Sequence, residues 1–161
     1  MSKVLIIGYG NPDREDDGVA WHVLQGMAHR LGREVRAEAE GAATSPGEEG
    51  PTLLFLPQLT PELAEEIAHY DRVCFVDAHT GAYEEDIRLQ DIQPAFQASP
   101  FTHHLRPETC LLLAATLYGR APQAAVLSVR GYRFGFSPSL SPRTAALAEE
   151  AIERLVAWVQ G

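Results

Sequence analysis

Apolar residues along this chain follow two spacings, and each spacing names an element. Lys3 to Ile7 (KVLII) is an uninterrupted apolar run halted by Gly8-Tyr9-Gly10-Asn11-Pro12, the pattern of a central strand buried on both faces. Beyond that loop Val19, Val23, Met27 and Leu31 recur at four-residue steps, which predicts a helix of about four turns. From Val35 to Gly50 the chain is rich in Ala, Glu, Gly and Ser, weakly strand-like at its start and then loop-like. Thr52 to Leu56 (TLLFL) predicts a strand. Thr60-Pro61-Glu62 then opens a helix with an N-cap residue, Pro at the first helical position and acid in the first turn, and Tyr70-Asp71 closes it. Arg72 to Asp77 (RVCFVD) is a second strongly buried strand, with Asp77 at its carboxyl end. Asp86 to Ile92 reads as an edge strand and Pro94 to Thr102 as loop. Pro107-Glu108 begins a helix with Leu111, Ala115 and Tyr118 on one face. Ala124 to Val129 is another strand, and Ser141-Pro142 starts a last helix that turns Leu147, Ala151, Ile152, Leu155 and Val159 inward.

Strands separated by helical patterns call for crossover connections. The expected fold class is therefore α/β: a single-domain three-layer sandwich, a mostly parallel twisted sheet with helices on both faces. A length of 161 residues, 45% of them hydrophobic, suits one domain spanning 1–161 whose core needs neither disulfides nor a structural metal. In such sheets ligands bind at the carboxyl ends of the strands. Functional residues are thus expected just after Ile7, just after Val76 and before the Pro107 helix.

Charge narrows the class of partner. Thirteen basic residues against 22 acidic ones give a net charge of −9, which argues against nucleic acid and anionic membrane surfaces. No apolar run approaches the roughly 20 residues needed to cross a bilayer, so membrane insertion is not expected. Cys74 and Cys110 each sit in an apolar stretch and read as small buried hydrophobes. Met1 runs straight into a strand without the pattern of a secretory signal, and the expected location is cytoplasmic.

The loop GYGNPDREDDG at 8–18 lacks the third glycine of a dinucleotide fingerprint and carries four acids between Asp13 and Asp17, which would repel a pyrophosphate. Capping of the following helix accounts for one or two of them, Asp16 or Asp17. Asp17 gains interest from its company: Asp77 ends the other buried strand, and His103-His104 lie in the loop before the Pro107 helix. Two carboxylates and one imidazole make an incomplete shell for a divalent cation, leaving positions for water or a substrate group. The helix dipole favours the ionised Asp17 that a ligand must be. No nucleophile competes: Ser99, Ser128, Ser137, Ser139 and Ser141 lack a GxSxG elbow, and Cys110 lies in a helix-interior pattern. His22 reads as a partly buried, hydrogen-bonded residue, and Trp21 and Trp158 as packing.

Four segments in order resemble the hydrogenase maturation endopeptidases, which trim the C-terminal extension from the large subunit of nickel-iron hydrogenases. They are GYGNPDREDDGVA at 8–20, QLTPELAEEIAHYDRVCFVDA at 58–78, THHL at 102–105 before an apolar helix, and LSP at 140–142. The resemblance implies that the metal-contacting acid falls on Asp17, the strand-end acid on Asp77 and the histidine after Ser/Thr on His103. It further implies that nickel arrives inside a hydrogenase large-subunit precursor rather than as a permanent cofactor. Asp13 and Glu15 stand where the family more often has an apolar residue and a glycine, and Ala20 replaces a frequent glycine. His79, read as a loop residue, and His104 are spare ligands without an assigned role. Two other functions compete. One is a non-proteolytic nickel or precursor-binding chaperone with the same ligands. The other is a peptidyl-tRNA hydrolase type enzyme, whose first strand also ends in a GxGNP loop. That enzyme calls for a His-Asn pair after the loop and a basic groove, whereas here His22 is followed by Val23 and the charge is −9.

Overall fold

The computed structural model describes residues 2–37, 50–96 and 105–161. Among these, six strands form one sheet: β1 (Val4–Tyr9), β2 (Val35–Arg36), β3 (Thr52–Leu56), β4 (Arg72–His79), β5 (Ile87–Ile92) and β6 (Gln123–Arg130). Their order is β2-β3-β1-β4-β6-β5, parallel throughout except for the antiparallel β5–β6 pair at one edge. Four helices cover it: α1 (Val19–Leu31), α2 (Leu63–Ile67), α3 (Pro107–Tyr118) and α4 (Pro142–Gln160). The expected α/β class and its mixed, mostly parallel sheet are both present.

The unbroken apolar character of β1 follows from its central place, because each side chain has a layer to fill. Val4 and Ile6 pack with Cys74, Val76 and Leu127 against Val23, Leu24 and Met27 of α1 and Ala151 and Ile152 of α4. Leu5 and Ile7 pack with Val73 and Phe75 against Leu63 and Ile67 of α2 and Cys110 and Leu111 of α3. Leu5, Ile6 and Ile7 have no exposed surface, and burying each side chain is worth about 1.5 to 3 kcal/mol. Cys74 and Cys110 are buried as expected. Trp21 packs edge-on against Phe55, and Trp158 lies beneath the Arg72 guanidinium.

Several local expectations need correction. β4 runs two residues past Asp77, because β6 pairs with all eight of its positions through His79↔Arg130. Asp77 is therefore inside the strand rather than at its end, and His79 is a buried strand residue rather than a loop histidine. α2 begins at Leu63 and has no side-chain cap. Before it, Thr60 and Pro61 carbonyls accept the Leu63 and Ala64 amides in a preceding turn. α3 starts at Pro107 as read, but its buried face is Cys110, Leu111 and Ala114, while Tyr118 is exposed. In α4, Ser141 caps the Thr144 amide, and Leu147 and Val159 are only partly buried.

The β1–α1 loop turns back on itself at its glycines. Gly10 has φ +142, and a Cβ there would collide with the Asp17 carbonyl. A Cβ on Gly18 would lie 2.6 Å from Pro12 Cα. Glu15 takes a left-handed φ of 47, the conformation that favours glycine.

Candidate active site

Register places one row of side chains across the carboxyl half of the sheet, facing the α2/α3 layer. Tyr9 pairs with Leu56, Asp77 with Ser128, and Ser128 with Arg88, while Gly8↔Val76 sets Tyr9 beside Asp77. The Tyr9 hydroxyl donates to Asp77 Oδ2 at 2.8 Å and the Ser128 hydroxyl donates to Asp77 Oδ1 at 2.7 Å. Burial pushes the Asp77 carboxyl above its usual range, opposed by these two hydrogen bonds. Burial also raises the Tyr9 phenol, and the neighbouring Asp77 charge adds to it, so Tyr9 stays a donor.

This row forms the floor of a cavity of about 640 Å³. α3 packs on α2 and the middle of the sheet, and at the outer strands Ile92 and Val126 are only partly buried against that layer. Arg88, Gln90 and Ile92 of β5 and Val126 of β6 line that stretch, and Leu105, Pro107 and Glu108 close it at the start of α3. The cavity thus carries two acids, Asp77 and Glu108, and two arginines, Arg106 at the start of α3 and Arg88 toward the sheet edge.

The other sequence candidates lie differently. Asp17 does not line this cavity, and its Oδ2 accepts the Asn11 amide at 2.9 Å, holding the loop in its turn. His103 and His104 fall outside the described residues, as does most of the Pro94 to Thr102 loop. Among the described residues, no three His, Cys, Asp or Glu side chains group to hold a metal. His79 Nδ1 accepts the Gly81 amide at 3.1 Å, and Tyr83 meets its ring edge-on at 5.2 Å between centroids. With Nδ1 engaged by that amide, its lone pair is not free for a ligand, and the buried Nε2 has no hydrogen-bond partner among the described residues. His22 is partly buried, and its Nε2 lies 3.2 Å from the Pro138 carbonyl. Burial pushes both thiols up, Cys110 to about 12, which leaves neither as a nucleophilic thiolate.

Tyr9 and Ser128 escaped the sequence reading, since only strand register brings them to Asp77. Asp16 escaped it more completely. It does not cap α1, whose N-cap is Gly18 without a side-chain hydrogen bond. Instead its fully buried carboxylate accepts the amides of Tyr132, Arg133 and Ser141 and the hydroxyls of Ser141 and Thr144, all at 2.7 to 2.9 Å. Burial alone would raise its pKa, but the Ser141 hydroxyl and the three amides outweigh it and push the carboxyl down to about 2. Glu15 N–H to the Ser137 carbonyl at 2.8 Å and Arg14 to the Phe134 carbonyl at 2.8 Å complete the joint between this loop and residues 131–144.

No family model and no curated protein matches the chain in sequence. Solved structures do match its fold over nearly all of its length. A [NiFe] hydrogenase maturation protease, HycI, from Thermococcus kodakarensis KOD1 superposes with a TM-score of 0.68 at 17% identity, over 99% of this chain and 94% of that one. The hydrogenase maturating endopeptidase HybD from E. coli gives 0.64 at 18% identity, over 98% and 92%. An uncharacterized protein from Wolinella succinogenes gives 0.60 at 20% identity, over 98% and 96%. The chain has the fold of the hydrogenase maturation proteases.

Proposed function

We propose that this protein is an endopeptidase that removes the C-terminal extension of a nickel-iron hydrogenase large-subunit precursor after nickel insertion. The observation that carries the reading is Asp77, an acid drawn into a cavity and oriented by two hydroxyls. Each of its oxygens accepts one hydrogen bond and keeps a second lone pair for a ligand. The fold shared with hydrogenase maturation proteases and the four resembling segments support the same reading. Nickel enters as part of the substrate, contacted by Asp17, Asp77 and His103. A divalent ion held by carboxylates polarises a carbonyl oxygen or acidifies a water. Hydrolysis then adds hydroxide to the scissile carbonyl carbon and a proton to the departing amine. Among the described residues no helix is long and apolar enough to cross a membrane. The cytoplasmic location of the reaction is part of the proposal.

The test is incubation with a nickel-loaded precursor, read by mass spectrometry. The expected outcome is a precursor lighter by its extension, with no shift for Asp17→Asn, Asp77→Asn or His103→Ala. Binding of the precursor without any loss of mass would overturn protease activity in favour of a maturation chaperone. Calorimetry with nickel, zinc and cadmium separately tests the ligand set, since binding that ignores all three substitutions would remove it.

A further inference from the structure

We infer that Arg88 forms a carboxylate subsite in the Asp77 cavity, selecting a substrate peptide that carries an acidic group about three residues from the moiety held at Asp77. For the identity of the entering chain, the inference rests on the processing reading above.

The arginines of this acidic chain mostly find acceptors. Arg30, Arg36, Arg120, Arg143 and Arg154 reach Glu153, Glu66, Asp71, Asp86 and Glu150, while Arg14 and Arg72 reach backbone carbonyls. Arg88 is different. It is partly buried, it lines the cavity, and its guanidinium lies 4.1 Å from the centroid of the Tyr83 ring, with no carboxylate or carbonyl on it among the described residues. Asp86, two residues earlier, instead accepts from Tyr132 and Arg143. A guanidinium remains charged at any working pH and presents five donors in a plane. Stacking on Tyr83 restrains that plane while leaving its N–H edge for a carboxylate, so the ordering cost of a bidentate pair is partly met before binding.

Register sets the spacing. Arg88 pairs with Ser128 and Ser128 with Asp77, so two strand-to-strand steps separate Arg88 from Asp77, about 10 Å. An extended peptide covers that span in about three residues. Asp77 and Glu108 bring acids to the cavity, and two arginines line it from opposite sides, Arg106 beside Glu108 at the start of α3 and Arg88 on β5 at the sheet edge. A carboxylate about three residues from the group at Asp77 falls on Arg88, which gives the cavity a preferred direction as well as affinity.

The experiment follows the Arg88 Nε–H resonance of the full chain by NMR. It is titrated with acetyl-Gly-Gly-Glu-Gly-Gly amide, its Gln counterpart, and acetylated pentaglycine with a free carboxyl terminus. The expected result is a saturable shift at least fivefold tighter with a carboxylate peptide than with the Gln peptide. The Glu and free-terminus arms identify whether a side chain or a chain end is read. In the variants, which lack that resonance, binding is followed through the backbone amide of Gln90 in the cavity lining, and it should be lost in Arg88→Gln and transferred to a Lys peptide in Arg88→Glu. Equal shifts with the Gln peptide, or undiminished binding by Arg88→Gln, would overturn the subsite. The two readings fail separately. A precursor cut by Arg88→Gln at the wild-type KM removes the subsite and leaves processing intact. Selective Glu-peptide binding by a protein that cuts no precursor does the reverse.

Discussion

Asp16 and Asp77 both lie toward the carboxyl end of the sheet, and the one with no solvent-exposed surface is the one held ionised. Asp16 has no exposed surface, yet its pKa lies at about 2, whereas the partly exposed Asp77 is shifted upward. Burial raises both carboxyls, and donor supply decides whether that is outweighed. Asp16 receives five hydrogen bonds, three of them from backbone amides that cannot turn away, and Asp77 receives two from hydroxyls. Asp16 has its acceptor capacity engaged in joining residues 131–144 to the first loop. Asp77 keeps capacity for something that enters its cavity.

Removing Asp16 should give the largest effect on stability. Asp16→Ala leaves the Tyr132, Arg133 and Ser141 amides and the Ser141 hydroxyl without this acceptor, while Thr144 keeps the Arg130 carbonyl; each buried group left unpaired costs about 1 to 3 kcal/mol. A loss of at least about 4 kcal/mol in urea denaturation is expected, against less than about 2 kcal/mol for Asp77→Ala. Equal losses would erase the contrast between the two acids.

Asp77→Asn should act on processing instead. A fall of at least about a thousandfold in precursor cleavage, equivalent to about 4 kcal/mol of barrier, is expected with folding stability unchanged or slightly raised at neutral pH. Stability holds because the folded state resists ionising Asp77, and the amide removes that penalty. Collapse of the fold together with activity would make Asp77 a structural acid like Asp16.

The pH dependence should separate the two by sign. For Asp16 the folded pKa is about 2 against 3.8, so its ionised form adds about 2 kcal/mol, fully present above about pH 4 and lost as the pH falls through 2. For Asp77 the folded pKa is raised, so its contribution is present below 3.8 and lost as the pH rises through the folded value. Denaturation from pH 2 to 6 should therefore show a shallower acid limb in Asp16→Asn and a steeper net rise with pH in Asp77→Asn. The same slope in both variants would contradict the assignment.

The smallest effects belong to the hydroxyls. Tyr9→Phe and Ser128→Ala each remove one donor from Asp77, and each should lower processing by about tenfold, or about 1.4 kcal/mol, while shifting stability by less than about 1 kcal/mol. Processing at the wild-type rate in both would show that Asp77 needs no orienting partner.

Much of the fold was legible because its signals are local. β1, β3 and β6 appear as apolar runs, and the starts of α3 and α4 are marked by Pro after a residue in extended conformation. The buried face of α3 was misread because PETCLLLAATLY is apolar nearly all round, so the period does not single out Cys110 and Ala114 over Ala115 and Tyr118. The extra length of β4 was invisible because Ala78 and His79 become strand only through β6. Of the three site candidates, Asp77 lies in the cavity, Asp17 lies outside its lining, and His103 falls outside the described residues.

The amino-acid sequence by itself determined the α/β alternation, the central strands and the acids in the loop after the first of them, since each depends on residues within a few positions of one another. Tertiary structure alone decided which acid would serve the fold and which would face a cavity. The donors that hold Asp16 lie 116 to 128 residues away, and those that hold Asp77 lie 51 and 68 residues away. A carboxylate's ionisation and its freedom to bind depend on how many donors meet it in space, and that number is set only when distant strands and loops pack together.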